Sequence, residues 1–399
     1  MSVSLEDFPH LSFTKRWDID KETARFLGQC EAYARVLTQL PLLPQEHQHL
    51  LSVFLRKGAL ATTAIEGNTL TQEDVDRMYD QQISLPVSKE YLGVEVRNIL
   101  DAMNTIIDDI LAGKELPVTP NLICTFHQLV SKNLGDHIDC IPGRFRQDNR
   151  YVGSYRAPDY SKVANLVERL CDWMRLEFHY PEYKNDWYDA IVQAIVAHVY
   201  LEWIHPFGDG NGRTGRLLEF YILVRAGMPV ITCTLLSNFY NDTRSEYYRQ
   251  FDVARRNNDL SSFIKYAVRG LCDKIKETLA VAQVCVTTIT WSHYIYEQFD
   301  KKTTSEATKR RRKLALSLKI GVPYTREEIV MLNPEMAREY LQTQRLAARD
   351  INALVNMGIL RAYSGLSTWD DDIYITNHTK LLLDRMPDSK HGPDLFPNS

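Results

Sequence analysis

Residues 205 to 216 read His-Pro-Phe-Gly-Asp-Gly-Asn-Gly-Arg-Thr-Gly-Arg, a run that combines a titratable base, a carboxylate, alternating glycines and two cations. Glycines at a helix start leave backbone N–H groups unpaired beside the positive end of the helix dipole, and together these attract anions. Gly210, Asn211 and Gly212 stand where that cradle would form. Arg213 and Arg216 lie three apart on the helix that follows, so their guanidinium groups share a face and can grip successive phosphates through forked hydrogen bonds. Asp209 offers a hard oxygen ligand that suits magnesium, an ion that takes one or two carboxylates plus phosphate oxygens. His205 titrates near neutral pH. A base four residues before a metal carboxylate, facing a phosphate chain, is equipped for attack of a hydroxyl on phosphorus.

The flanking sequence says what must position this chemistry. Ile191, Ala194, Ile195 and Val199 recur at helical spacing within 190–203, and an apolar run resumes at Leu217, so the motif is a loop closing one helix and opening another. Far upstream, Leu51, Phe54 and Leu55 begin a helical stripe that ends at Thr62-Thr63-Ala64-Ile65-Glu66-Gly67-Asn68, with Gly67 as the residue past the helix end. Thr71 with Asp74 then opens a further helix in a capping-box-like pattern.

The 205–216 run resembles the signature of the Fic family, His-x-Phe-x-(Asp/Glu)-Gly-Asn-Gly-Arg-x-x-Arg, at every fixed position. Fic proteins are mostly protein adenylyltransferases, so the resemblance implies transfer of AMP from ATP to a Ser, Thr or Tyr hydroxyl of a target protein, with release of pyrophosphate. It implies that His205 deprotonates the hydroxyl and that Asp209 holds Mg2+. It assigns the ATP phosphates to Gly210, Asn211, Gly212, Arg213, Thr214, Gly215 and Arg216, with the two arginines on the outer ones. Tyr247, in Ser245-Glu246-Tyr247-Tyr248, would approach the base or ribose. Thr62-x-x-x-Glu66-Gly67 fits the (Ser/Thr)-x-x-x-Glu-(Gly/Asn) inhibitory motif, whose glutamate pairs with the second signature arginine; here Glu66 would pair with Arg216. That pairing competes with the γ-phosphate for one cation and keeps resting activity low. The segment from Ile141 through Arg146 to Tyr155 resembles the Fic flap, so the target protein is expected to dock by strand addition on a hairpin at 145–158.

The resemblance spans approximately residues 50–270 and implies an all-α Fic core with one small β-hairpin. Helices are expected at about 20–40, 46–65, 72–79, 88–112, 119–133, 160–178, 186–203, 212–226, 242–256 and 259–298. The expected division is an N-terminal helical region over 1–110 carrying the inhibitory motif, a catalytic core over 111–298 and an exposed linker over 299–313. A domain over 314–380 and a disordered tail over 381–399 follow. The linker contains the basic run Lys309-Arg310-Arg311-Arg312-Lys313. Beyond it, an apolar stretch at 314–318, a capping box at Thr325 to Glu328, a helix over 343–357 and β-prone pieces at 359–363 and 373–376 resemble a winged helix-turn-helix. DNA binding is not favoured there. Asp350 accompanies Arg345 and Arg349 on the would-be recognition helix, and Asp370, Asp371 and Asp372 on the wing would repel phosphates. Protein docking or a homodimer fits these charges at least as well.

Composition bounds the rest. The chain has 399 residues, 44% hydrophobic, with a net charge of −4, enough for two or three domains with sizeable cores. Glu219, Arg225 and Pro229 break the apolar stretch 217–236, which excludes a membrane span there. The start of the sequence lacks a basic-then-apolar signal, and seven cysteines without zinc spacing favour reduced thiols in the cytoplasm. Two rival functions stand beside AMP transfer: AMP removal, with Glu66 orienting a water, and a nucleotide-sensing regulatory or DNA-binding protein. An intact His205 favours an enzyme, since a sensor needs no base beside a phosphate cradle.

Overall fold

The computed structural model describes residues 8–80, 84–178, 186–300, 305–332, 334–363 and 373–377. Residues up to Ala282 form one compact unit and residues from Gln283 a second. Among the described residues the first is helical apart from one hairpin. Its elements are α1 (Lys21–Gln39), α2 (Pro44–Ile65), α3 (Gln72–Asp80), α4 (Glu90–Leu111) and α5 (Pro120–Val130). The antiparallel hairpin β1 (Tyr151–Val152) and β2 (Tyr155–Arg156) comes next, then α6 (Tyr160–Glu177), α7 (Trp187–Ile204) and α8 (Asn211–Arg225). Two short helices, α9 (Val230–Cys233) and α10 (Leu235–Asp242), precede α11 (Arg244–Asn257) and the long α12 (Ser261–Asp300).

Capping fixes several of these starts. Asp20 accepts from the Thr23 N–H at 2.7 Å, Thr119 from Leu122 at 3.2 Å with Pro120 following, and Asp186 from Asp189 at 3.1 Å. Thr71 and Asp74 cap each other reciprocally, as the sequence predicts. The centre of the unit is the pair α7 and α8. Both are buried along nearly their whole length, α7 because it is apolar on all sides. α8 is buried although four of its fifteen residues are charged, so each of those charges needs a partner inside. Leu55 and Ile65 of α2, Val96 and Ile99 of α4, Ile195 of α7 and Leu218 of α8 share one core. Across the expected border at 110/111, α2 and α4 thus pack into the same core as α7 and α8. α9 and α10 were not expected; the break at Gly227-Met228-Pro229 turns the chain and lets the apolar sequence fold back as two short helices.

The second unit holds the end of α12, then α13 (Glu306–Ser317), α14 (Arg326–Val330), α15 (Pro334–Gln342) and α16 (Gln344–Asn356). An antiparallel hairpin, β3 (Leu360–Tyr363) and β4 (Ile373–Thr376), completes it. Trp291, Ile295, Leu314, Ile329, Ile351 and Ile359 meet in its core. The capping box at Thr325 and Glu328 is present. The basic run is not an exposed linker but part of α13: Arg310 Nε and Arg311 Nε donate to the fully buried carboxylate of Asp350 at 2.6 and 2.7 Å. Asp350 therefore faces inward rather than standing beside Arg345 and Arg349 on an outer face. Asp370, Asp371, Asp372 and the tail 381–399 lie outside the described residues.

Candidate active site

The loop between α7 and α8 begins at His205, which caps α7 in the left-handed conformation (φ +49°) and donates its N–H to Leu201 O at 2.9 Å. A non-glycine residue holds that conformation only where its surroundings impose it. Arg146 supplies the constraint. Its Nε donates to the His205 carbonyl at 2.7 Å, its own N–H donates to Pro206 O at 2.9 Å, and its remaining nitrogens reach Asp148 O and Pro158 O. The same buried side chain thus fastens His205 and the segment that carries the hairpin. Burial, helped by the Arg146 charge and opposed by the Glu66 charge and the Glu202 carbonyl, lowers the His205 pKa to about 4. The ring is neutral at neutral pH, the form a general base requires.

Farther along the loop, Phe207 is fully buried and stacks on His127 at 3.7 Å. His127 Nδ1 accepts from the Gly143 N–H at 2.9 Å, which leaves the ring proton on Nε2 to donate to Asp209 O at 3.0 Å. Asn211 closes the loop: its side chain accepts from Phe207 N at 2.9 Å and donates to Phe207 O at 3.0 Å. Its amide is thereby committed to the loop, and only its backbone is left for an anion. Gly210 precedes α8 at φ +78°, a conformation that favours glycine.

The signature charges are all engaged. Asp209 Oδ1 accepts from Gly210 N and from Arg213 Nη2, while the side chain stays 41% exposed on the cavity. Arg213 Nη1 donates to Glu95 Oε1 at 2.8 Å. Burial raises the Glu95 pKa, and Arg213 opposes that shift. Arg216 donates to Glu66 Oε1 at 2.5 Å, to Thr62 O at 2.9 Å and to Tyr247 Oη at 3.3 Å. Burial alone would raise the Glu66 pKa, but the charge and hydrogen bond of Arg216, with Arg213 and Arg244, hold it below the usual range. Glu66 lies over the first turn of α8 at Gly212, where an added Cβ would collide with its carboxylate. Only glycine at 212 admits the carboxylate so close to the helix N-terminus.

Glu66 and Arg216 are thus brought together across 150 residues, as expected from the sequence. Thr214 and Gly215 are not at the cradle. The Thr214 hydroxyl donates to Gly210 O at 2.8 Å within α8, and Gly215 faces Glu202 and His198. Tyr247 lines the cavity but is only 2% exposed, with its hydroxyl between His198 Nε2 at 2.8 Å and Arg216. Glu202, whose pKa burial pushes up to about 7, lines the same space. Sequence reasoning missed Glu95, Arg146, His198, Glu202 and Glu219. The available signal was weak: each is an ionisable residue adjacent to an apolar helical stripe or inside a quoted motif.

These groups surround a cavity of about 810 Å³ lined by His205, Asp209 to Gly212, Arg216, Glu66 and residues 152–155 of the hairpin. That volume suits a nucleotide-sized ligand. Tyr151 and Val152 on the hairpin are exposed.

Residues 117–223 match the Fic/DOC family. The chain is 27% identical over 260 residues to protein adenylyltransferase fic-1 of Caenorhabditis elegans, covering 65% of this chain and 47% of that protein. It is 31% identical over 211 residues to protein adenylyltransferase Fic of Drosophila willistoni, covering 51% and 38%. The chain therefore spans less than half the length of these relatives. In fold it resembles a Fic family protein from Desulfovibrio desulfuricans, with a TM-score of 0.55 at 20% identity over 91% of this chain and 98% of the other. A Fic domain containing signaling protein from Bacteroides thetaiotaomicron gives 0.53 at 19% identity, over 65% and 97%.

Proposed function

We propose that this chain is an autoinhibited protein adenylyltransferase that moves AMP from ATP to a hydroxyl of a target protein, itself included. The observation that carries the reading is one geometry: a base held neutral, His205, beside an α8 start whose arginine is already taken by Glu66. The relatives' names support the activity. In the reaction His205 accepts the target hydroxyl proton, the oxygen bonds to the α-phosphorus, and the bond from that phosphorus to the β-phosphate oxygen breaks, releasing pyrophosphate. The unpaired N–H groups at the start of α8 and Arg216 would orient the phosphates once Glu66 withdraws.

Asp209 fits a magnesium ion in one respect that the structure supports: a half-exposed carboxylate on the cavity wall with one oxygen engaged by Gly210 and Arg213. A single carboxylate completed by phosphate oxygens is a common magnesium arrangement, and such an ion would neutralise charge developing on the phosphates. The exposed Val152 edge of the hairpin supports target docking by strand addition. Glu66, ionised and 34% exposed on the same wall, also equips the site to orient a water for AMP removal.

For the second unit we favour partner docking or self-association over DNA binding. Three helices and a hairpin after α13 suit a winged-helix-like domain, but Arg310 and Arg311 of its basic run already serve Asp350. All seven cysteines are unpaired, which fits a reducing cytoplasm, and no helix among the described residues is long and apolar enough to cross a membrane.

The test is incubation of the purified chain with α-labelled ATP and magnesium, with Glu66→Gly and His205→Ala compared. Label on protein that rises with Glu66→Gly and vanishes with His205→Ala supports the proposal. Absence of label in every form refutes it.

A further inference from the structure

From Arg216 and Tyr247 on the cavity wall a line of buried polar groups runs inward, and beyond Arg216 the transfer step uses none of them. Arg216 donates to Tyr247 Oη at 3.3 Å, Tyr247 lies 2.8 Å from His198 Nε2, and His198 Nδ1 approaches Glu219 Oε2 to 3.1 Å. Tyr240 Oη donates to the other oxygen of Glu219 at 3.0 Å. Arg216, Tyr247, His198, Glu219 and Tyr240 are each no more than 2% exposed. Polar groups cost stability when taken into a core, and a connected set repays that cost only when its members satisfy one another.

The protons can be placed in one direction. The carboxylate beside Nδ1 selects the tautomer with its proton there, so Nε2 accepts from the Tyr247 hydroxyl. The Tyr247 oxygen is then left to accept from Arg216. The Arg216 and Tyr247 donors thus point toward His198, whose Nδ1 faces the Glu219 carboxylate at 3.1 Å as a charge contact rather than a hydrogen bond, and each of the two bonds polarises the other.

The other two partners of Arg216 belong to the inhibitory segment: Thr62 O and Glu66 Oε1, both at the end of α2. Among the described residues, Tyr247 is the one hydrogen-bond partner of this guanidinium that the segment does not supply. It is also a neutral acceptor, since burial holds the phenol well above its usual range. A neutral acceptor aims a cation without cancelling its charge, whereas Glu66 cancels it.

We propose that Tyr247, backed by His198 and Glu219, is a positioning residue that keeps Arg216 aimed at the outer phosphates of ATP after Glu66 withdraws. This rests on the nucleotide reading of the cavity given above, and it replaces contact with the base or ribose as the role of Tyr247.

Tyr247→Phe removes only the hydroxyl and keeps the stacking on Tyr240 at 4.7 Å and the edge contact with Phe251 at 5.0 Å. The experiment is calorimetric titration of ATP and of AMP, with magnesium, into the full chain carrying Glu66→Gly, with and without Tyr247→Phe. ATP affinity should fall about five- to tenfold, the effect of one long hydrogen bond to a charged group. AMP affinity, which has no outer phosphate for Arg216, should change less than about twofold. Glu219→Gln is the second variant: it should weaken ATP selectively, and the double variant should be no worse than Tyr247→Phe alone. If Tyr247→Phe leaves ATP affinity as it was, or lowers ATP and AMP affinity equally, the positioning role is wrong and Tyr247 is core packing. A Glu66→Gly chain that binds no ATP overturns the nucleotide reading together with this inference.

Discussion

Replacing Glu66 tests the resting state most directly. Its carboxylate meets Arg216 at 2.5 Å, and Arg216 has only 1% of its side chain exposed. Opposite charges about 4 Å apart at an effective dielectric of about 20 attract by about 4 kcal/mol. Glu66 itself keeps 34% exposure, so solvent screening reduces this to about 2 kcal/mol. A phosphate must displace that interaction, and Glu66→Gly should therefore tighten ATP binding and raise self-modification by about thirtyfold. Glu66→Gln keeps the shape and a hydrogen bond without the charge and should gain only a fraction of that. The empty Glu66→Gly chain should also be less stable than the parent, because a buried guanidinium loses its counter-charge. ATP should then raise its melting temperature more than it raises that of the parent. Calorimetric ATP affinity and initial rates with α-labelled ATP measure the first effect, and thermal melts with and without ATP the second. If ATP affinity and rate are both unchanged, Glu66 does not compete for Arg216 and the inhibitory account fails.

Three further outcomes follow from the same geometry. His205→Ala should lower transfer by at least about a hundredfold while ATP affinity changes little, since the ring acts on the hydroxyl rather than on the phosphates; parallel losses in rate and affinity would contradict that role. Asp209→Ala should reduce transfer and flatten its dependence on magnesium concentration, and a normal magnesium response would put the ion elsewhere. The third concerns acid stability. Burial lowers His10, His127 and His205 to about 4 from an ordinary 6.5, so between those values the unfolded chain binds more protons and stability rises with pH. Glu202, raised to about 7, binds its proton in the folded state and offsets one of the three. The net slope is at most about 3 kcal/mol per pH unit. Urea melts at pH 7 and pH 5 should show a clear fall at the lower pH, and equal midpoints would mean these rings are not held neutral.

The run at 205–216 was legible because its chemistry lies in residue types at fixed local spacing, and the helices around it because apolar residues recur with the helical period. α3, expected at 72–79, spans Gln72–Asp80, and the ends of α7 and α8 fall within one residue of expectation. Thr214 and Gly215 point away from the cavity for a reason also readable in the period. Successive residues on a helix are about 100° apart, so a face shared by Arg213 and Arg216 turns 214 and 215 away from it. The structure turns Thr214 onto Gly210 and Gly215 onto His198.

What could not be read is where a buried charge finds its partner. Glu95 lies 118 residues from Arg213, and Arg146 lies 59 from the carbonyl of His205. No local pattern encodes such pairings, because burial of an ionisable group is decided by which helices pack together. The basic run makes the same point from the other side. Five consecutive cations read as a solvated stretch, yet Asp350 is fully buried about 40 residues later, and burying its carboxylate requires charges that Arg310 and Arg311 supply. Charge patterning thus identifies residues that need either water or a partner. The choice between those two is made by the packing of each unit, which takes in Arg213 and Arg216 in the first and Asp350 in the second.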